Sequence, residues 1–354
     1  MKDGPSYVSN ALRALAGRRL VLAAKEAGAG SLLAAMLDTL RPAGESVVVV
    51  SSAAARFFEG ARAKLLNAEA GWFPDQAAED LLRQAAPQAI LVGASAGPSV
   101  EKILIRAAVR NGIPAYSFVD HYWNLWQRFA DERSAARWAY LPDRIFVPAE
   151  HCRNRIVAQG CDPQRVEVFE HPLLAAARAR GEDAAAAELR RKARAELGIP
   201  AAATVLLFVS EYVFPRDPLW QWEQPEQADI DGLLQLLLRS AQQAGAGSGR
   251  DWVVLVKLHP AQESPPLGVL RSFPSALYRI AKDVDKGAII SAADAAFGLN
   301  SMLLLEAALG GLPAYSHHAV SAGSDAWLSR IRPEVVELSD PADFARAVAG
   351  AARP

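Results

Sequence analysis

The run Ser46-Val47-Val48-Val49-Val50-Ser51 constrains this chain more than any other segment. Four successive valines leave a strand no polar side, so both of its faces must be covered. That is the environment of a strand inside a parallel sheet flanked by helices. Short apolar runs of the same kind recur at residues 19–23, 89–92, 113–119, 144–147 and 166–169, with room for a helix between neighbours. Gly28-Ala29-Gly30 reads as a turn after the first run, with Ser31 capping an amphipathic segment over 32–40. Residues 93–97 (GASAG) end a later strand, and Pro98 suits the first helical position of a helix over 100–109. Strand and helix alternating at this spacing give right-handed βαβ units and a doubly wound sheet.

Residues 181–200 (GEDAAAAELRRKARAELGIP) change character, being alanine-rich, heavily charged and without a strand pattern. They read as a solvated helix joining two halves. The alternation then restarts, with strands at 204–209, 252–258, 295–299, 314–315 and 335–338 and helices at 230–244, 301–309 and 341–351. The expected organisation is an N-terminal Rossmann-like domain over 1–180, a linker helix over 181–202, and a C-terminal Rossmann-like domain over 203–354. The last helix is a candidate to pack back on the first domain. The expected fold is therefore α/β, two doubly wound Rossmann-like domains facing each other across a cleft. Ligands should sit at the carboxyl ends of the strands.

A length of 354 residues suits two domains. Lysine plus arginine is 38 against 39 for aspartate plus glutamate, a balance that speaks against a nucleic-acid partner. Hydrophobic residues make up 51% and charged residues 22%, which excludes wholesale disorder. Cys152 and Cys161 match no zinc spacing and make no disulfide framework. With no signal-peptide pattern and no run long enough to span a bilayer, the expected location is cytoplasmic.

Chemistry-bearing residues gather at the predicted strand ends of the second half. Lys257-Leu258-His259-Pro260 closes a strand, and the proline turns the chain out of the sheet, leaving His259 at the edge to donate to a phosphate or to bond a neighbouring carbonyl. Asn300 or Ser301 can cap the following helix, whose exposed amides would bind an anion or simply begin a helix. Glu306 lies in the apolar segment Ser301-Met302-Leu303-Leu304-Leu305-Glu306 and needs a partner if buried; ribose hydroxyls would serve.

KLHP at 257–260, followed by GLNSMLLLEAALGGLPAYS at 298–316, resembles the donor half of GT-B fold glycosyltransferases of bacterial surface-polysaccharide synthesis, including sialyl-, polysialyl- and glycerophosphotransferase-like groups. The resemblance implies that His259 and Ser301 contact the donor's phosphates and that Glu306 holds the nucleotide ribose. It also implies that the stretch FVSEY at 208–212, with Ser210 and Glu211, forms a first strand and a loop reaching the donor. The acidic pair followed by glycine of the polysialyltransferase pattern is missing, so the resemblance assigns no base. UDP-sugar 2-epimerases share the fold and a similar serine-to-glutamate helix, which makes epimerisation or hydrolysis of a nucleotide sugar the alternative activity.

In the first half, the turn at Gly28, Gly30 and Ser31 would let a phosphate or acceptor approach the backbone. It is neither a full dinucleotide fingerprint nor a Walker pattern, so no nicotinamide or ATP cofactor is expected. Asp120-His121-Tyr122-Trp123-Asn124 follows an apolar strand. Asp120 or His121 is the candidate base, and Trp123 with Trp126 could stack on a sugar or pack the loop. Asp229-Ile230-Asp231, Asp283-Val284-Asp285 and His317-His318 are too weak to assign a metal. Trp220 and Trp222 form an aromatic patch open to an acceptor, a partner or a membrane surface.

The combined expectation is a metal-independent glycosyltransferase that moves a sugar from a CMP-, CDP- or UDP-linked donor to a glycan or glycolipid acceptor. It would be cytoplasmic, with peripheral association at the inner membrane face. His259, Lys257 and the amides around Ser301 would neutralise the leaving phosphate. The rivals are a nucleotide-sugar 2-epimerase or hydrolase and a noncatalytic nucleotide-sugar scaffold.

Overall fold

A computed structural model describes residues 10–352 apart from 69–72, 132, 135, 181–185, 214–225, 263, 283 and 318–326. Among the described residues the chain divides into two compact units, the first through Ala175 and the second from Ala176. The first unit holds β1 (Leu20–Ala24), β2 (Ser46–Val50), β3 (Ala63–Asn67), β4 (Ala89–Val92), β5 (Ala115–Phe118), β6 (Arg144–Val147) and β7 (Val166–Val168). They form one parallel sheet in the order β3-β2-β1-β4-β5-β6-β7. The second unit holds β8 (Thr204–Val209), β9 (Trp252–Lys257), β10 (Tyr278–Ala281), β11 (Ala295–Gly298), β12 (Ala314–His317) and β13 (Val336–Leu338). These are again all parallel, in the order β10-β9-β8-β11-β12-β13.

The valine run behaves as its chemistry requires. Val48 and Val50 face one layer with Leu20, Leu22 and Leu32, Leu33 and Met36 of the helix Ala27–Leu40. Val49 faces the other layer with Val21, Ala23, Ile90 and Leu104 of the helix Val100–Arg110. Each buried valine or leucine contributes about 1.5–3 kcal/mol relative to exposure. In the second unit Leu206, Phe208, Val254, Val256 and Phe297 pack on Ile230, Leu234 and Leu238 of the helix Gln227–Ser248. The closing helix Pro341–Gly350, a candidate for packing on the first domain, buries Phe344 and Val348 in the core of its own unit.

Two strands escape a reading by apolar runs, β3 (AKLLN) and β10 (YRIA). Both are edge strands with half-open faces, Leu65 being 39% and Ile280 43% exposed, so their sequences need no continuous apolar run. Helix starts also differ. The first long helix begins at Ala27 with Glu26 at the N-cap, so Gly28, Gly30 and Ser31 lie inside it rather than in a preceding turn. Ser99, not Pro98, starts the helix Val100–Arg110, its hydroxyl accepting from Lys102 N at 3.4 Å. The helix Ala186–Glu196 is not simply solvated. Arg194 is buried and pairs with Asp294 at 2.8 Å, fastening the helix to the approach of β11.

Candidate functional site

In a sheet of this order the strand sequence reverses between β1 and β4 in the first unit and between β8 and β11 in the second. The reversal leaves a crevice at the carboxyl ends of those strands, where ligands of such folds bind. In the first unit that place is polar and crowded. Asp120 follows β5, with its side chain 13% exposed and 3.4 Å from the guanidinium of Arg128. Arg128 is itself buried and donates to the carbonyl of Ala94 after β4. Burial pushes the Asp120 carboxyl above the usual range, while Arg128 and a backbone amide pull it back. Glu26, two residues past β1, is half-buried and raised to about 7, first by desolvation and then by the charges of Asp120 and Glu101, against Arg128 and Lys25. Glu101 is 1% exposed and accepts from Lys25 N at 2.7 Å and from Ser95 Oγ at 2.8 Å.

The glycines serve this cluster in a way the expected turn did not foresee. A Cβ on Gly28 would overlap the Asp120 carboxylate, so the missing side chain admits Asp120 against the helix. A Cβ on Gly30 would lie 2.9 Å from Ala54 Cβ, so that glycine admits the neighbouring chain rather than a ligand. Ser31 sits mid-helix and caps nothing. His121 accepts from Tyr122 N at 3.0 Å through Nδ1 and meets Trp123 edge-on. Trp123 and Trp126 are each 8% exposed, so they pack the loop and present no open face for a sugar to stack on.

In the second unit His259 follows β9 with its ring stacked on Tyr212 at 6.0 Å. Burial and the charge of Lys257 lower its pKa to about 4, so the imidazole is neutral near pH 7. Its Nδ1 accepts from Ala261 N at 3.1 Å, which places the ring proton on Nε2 as a donor. His259 can therefore donate to a phosphate but adds no positive charge. Lys257 Nζ donates to the carbonyls of Leu258 at 3.0 Å and Lys282 at 2.7 Å, so it ties loop ends together at the position expected to neutralise a phosphate.

The amides opening the helix Met302–Leu309 face an internal acid. Asn300 N donates to Glu211 Oε1, and the amides of Asn300, Leu299 and Ser301 pull the Glu211 pKa down against the desolvation that lifts it to about 7. Ser301 Oγ accepts from Leu303 N at 3.3 Å as an N-cap, and Asn300 Oδ1 accepts from Leu328 N at 2.6 Å. Ser210 Oγ donates to Gln262 at 2.9 Å. Glu306 is 7% exposed and paired with Lys286 at 2.7 Å, so this carboxylate has a protein partner where a ribose was expected. Beside these groups lies an open pocket of about 530 Å³, lined by Glu211, Tyr212, Gln227, Asp231, Gln262 and Ser264 among others.

Asp229 forms a capping box with Glu226 and Asp231 accepts from Gln227, so this Asp-x-Asp pair starts a helix. His317 Nδ1 lies 2.9 Å from the Leu338 carbonyl. Asp283, His318, Trp220 and Trp222 lie outside the described residues. Among the described residues no three His, Cys, Asp or Glu side chains converge to hold a metal, and no helix is long and apolar enough to cross a membrane. Sequence reasoning missed Glu26, Glu101 and Arg128. Glu26 carried a usable signal, since it directly follows a buried strand run, but the glycines after it drew the helix start forward.

No family model and no curated protein matches the chain. Solved structures do. UDP-GlcNAc 2-epimerase from Neisseria meningitidis, bound to UDP-GlcNAc, aligns with a TM-score of 0.61 and 12% identity over 94% of this chain and 90% of that one. The UDP-GlcNAc 2-epimerase of Methanocaldococcus jannaschii aligns with a TM-score of 0.58 and 12% identity over 94% and 91%. The glycotransferase of kitacinnamycin aligns with a TM-score of 0.52 and 14% identity over 95% and 91%. At these identities the likeness is one of fold: two doubly wound Rossmann-like units of the GT-B type, shared by enzymes that act on nucleotide sugars.

Proposed function

We propose that this protein is an enzyme that acts on a nucleotide sugar at the sugar itself, as a 2-epimerase or hydrolase of a UDP-linked N-acetylhexosamine. The observation that carries the reading is the group of carboxyls at the first unit's strand ends. Asp120, Glu26 and Glu101 gather around Arg128 and Lys25, and burial raises the first two. Rearranging or cleaving a sugar needs an acid and a base together, whereas passing it to an acceptor hydroxyl needs chiefly one base. The UDP-GlcNAc 2-epimerases among the structural neighbours support the same choice. In this reading Asp120 is the base. His259, through Nε2–H, and Ser301 bind the diphosphate, and Glu306 with Lys286 meets the ribose. The glycosyltransferase reading stands second, supported by the glycotransferase of the same fold.

The test incubates the protein with UDP-GlcNAc in deuterated water, without any acceptor and with EDTA present, followed by proton NMR. The expected result is the C2 epimer carrying deuterium, or UDP with free sugar. Turnover that begins only after a glycan or glycolipid is added would make the protein a transferase. UDP binding with no turnover on UDP-, CDP- or CMP-sugars, with or without acceptor, would make it a binding protein. Loss of activity in EDTA, restored by a divalent ion, would overturn metal independence.

A further inference from the structure

The Glu26 carboxyl is placed for a task other than holding its helix. Glu26 is the N-cap of the helix Ala27–Leu40 with extended backbone (φ −95°, ψ 153°), yet its side chain makes no capping hydrogen bond. The carboxyl lies instead within electrostatic reach of every charged element around the crevice. Asp120 comes from the end of β5, Arg128 from the loop beyond it, Glu101 from the helix Val100–Arg110, and Lys25 is its own neighbour. Asp120 rests on the first turn of the same helix, at the space left by Gly28. Arg128 fixes Asp120 from the other side, at 3.4 Å, while donating to Ala94 O. Lys25 is held by the carbonyl of Pro98 at 2.8 Å. Behind them Glu101 is 1% exposed; its Oε1 is bonded, and its buried Oε2 has no hydrogen-bond partner among the described residues.

Three acids facing two cations are one negative charge too many for a half-buried place, and the cheapest remedy is to keep one proton. Asp120 has the guanidinium against it, whereas Glu26 is the acid with no bonded cation. The amides of the helix's first turn, to which Glu26 offers no bond, favour an anionic group beside it.

We propose that Glu26 and Asp120 are an acid–base pair sharing one proton, with Glu26 the donor to the oxygen that leaves the sugar and Asp120 the acceptor. This rests on the nucleotide-sugar reading. In the step, the bond from the sugar's anomeric carbon to the diphosphate oxygen breaks and its electron pair leaves with the oxygen, which takes the Glu26 proton. Asp120 takes one proton from the attacking water as that water's oxygen bonds the anomeric carbon. The pair loses one proton and gains one, so its charge is unchanged, and exchange through solvent restores Glu26. A retained proton near neutrality matches the raised Glu26 pKa of about 7.

Two measurements test the pair. The first needs no substrate: carboxyl carbons of the full chain, labelled with carbon-13 in glutamate, are titrated by NMR. A glutamate signal titrating near pH 7 that Glu26→Gln removes is expected. A titration that persists in the variant, or no such signal assignable to Glu26, overturns the shared proton whatever the activity proves to be. The second follows turnover of UDP-GlcNAc against pH. Glu26→Gln should lower kcat by about a hundredfold, flatten the alkaline limb, and leave the Kd for UDP unchanged; Glu26→Asp should recover part of the rate. An active wild type with an equally active Glu26→Gln overturns the acid role and leaves the enzymatic reading standing. An inactive wild type overturns the enzymatic reading and with it the leaving-group step, while the titration still decides whether the two carboxyls share a proton.

Discussion

The two sheets place a glutamate at the same topological position and use it differently. β1 ends at Ala24 two residues before Glu26, and β8 ends at Val209 two residues before Glu211. Each is the first strand of its unit, at the point where strand order reverses, and burial lifts each acid to about 7. Glu211 turns its carboxylate onto the amides that open the helix Met302–Leu309, so an internal anion occupies the place where a ligand's phosphate was expected. Glu26 leaves the amides of its own helix alone and faces Arg128 and Asp120. Topology decides where polar groups collect. The partners decide whether an acid closes a helix end or keeps a proton to give.

The largest effect that would sharpen this contrast is on Asp120. Asp120→Asn keeps the shape beside Gly28 and Arg128 but removes the base, and turnover of UDP-GlcNAc should fall by about two to four orders of magnitude. Calorimetry should show UDP affinity unchanged. If Glu211→Gln proves the more damaging to turnover, the roles of the two strand ends are reversed.

Nucleotide affinity belongs to the second unit. His259→Ala removes a neutral donor, and loss of one hydrogen bond to a charged group costs about 1.5–3 kcal/mol, or one to two decades in Kd for UDP. Because the His259 pKa is lowered to about 4, the ring carries no proton to lose between pH 5.5 and 8. The difference between wild type and His259→Ala should therefore stay constant over that range. A difference that grows as pH falls toward 5.5 would mean that the imidazole binds as a cation.

The glycines of the first helix separate chemistry from packing. Gly28→Ala forces the end of the Asp120 side chain aside, so kcat should drop about tenfold with little change in melting temperature. Gly30→Ala presses on the backbone and Cβ of Ala54, so it should destabilise the unit by about 1–3 kcal/mol. Equal loss of stability in both variants would show that Gly28 is a packing glycine too.

The architecture was legible in the sequence because buried parallel strands announce themselves. SVVVV and TVLLFV have no polar side, and the interruptions between such runs are long enough for helices. β3 and β10 were not legible because an edge strand needs only partial cover. Asp120, His259 and Ser301 stood out as polar residues at the ends of apolar runs. Arg128 and Glu101 did not, since each lies in a segment whose chemistry appears only when β1, β4 and β5 bring their ends together. Trp123 and Trp126 misled for a related reason. A loop rich in tryptophan looks the same in sequence whether its rings face a sugar or, as here, each other's backbone and the core.

The smallest effect concerns stability, and it tests whether Glu211 is held as a charge. Desolvation raises its pKa to about 7, while the amides of Asn300, Leu299 and Ser301 work in the opposite direction. A carboxyl whose folded pKa lies above its unfolded value binds more protons in the folded state. Its contribution is complete below the unfolded value, near 4.5, and is lost as pH rises through about 7. Glutamine at this position still offers one acceptor to the Asn300 amide and has no proton to lose. Between pH 5 and pH 8, Glu211→Gln should therefore gain on wild type by about 2–3 kcal/mol, whatever the offset between them at pH 5. Calorimetric unfolding at the two pH values measures this, and Glu26→Gln should show the same trend. A difference between wild type and Glu211→Gln that does not change with pH would mean that the three amides outweigh desolvation. Glu211 would then be a permanent anion, and the contrast with a proton-bearing Glu26 would be sharper still.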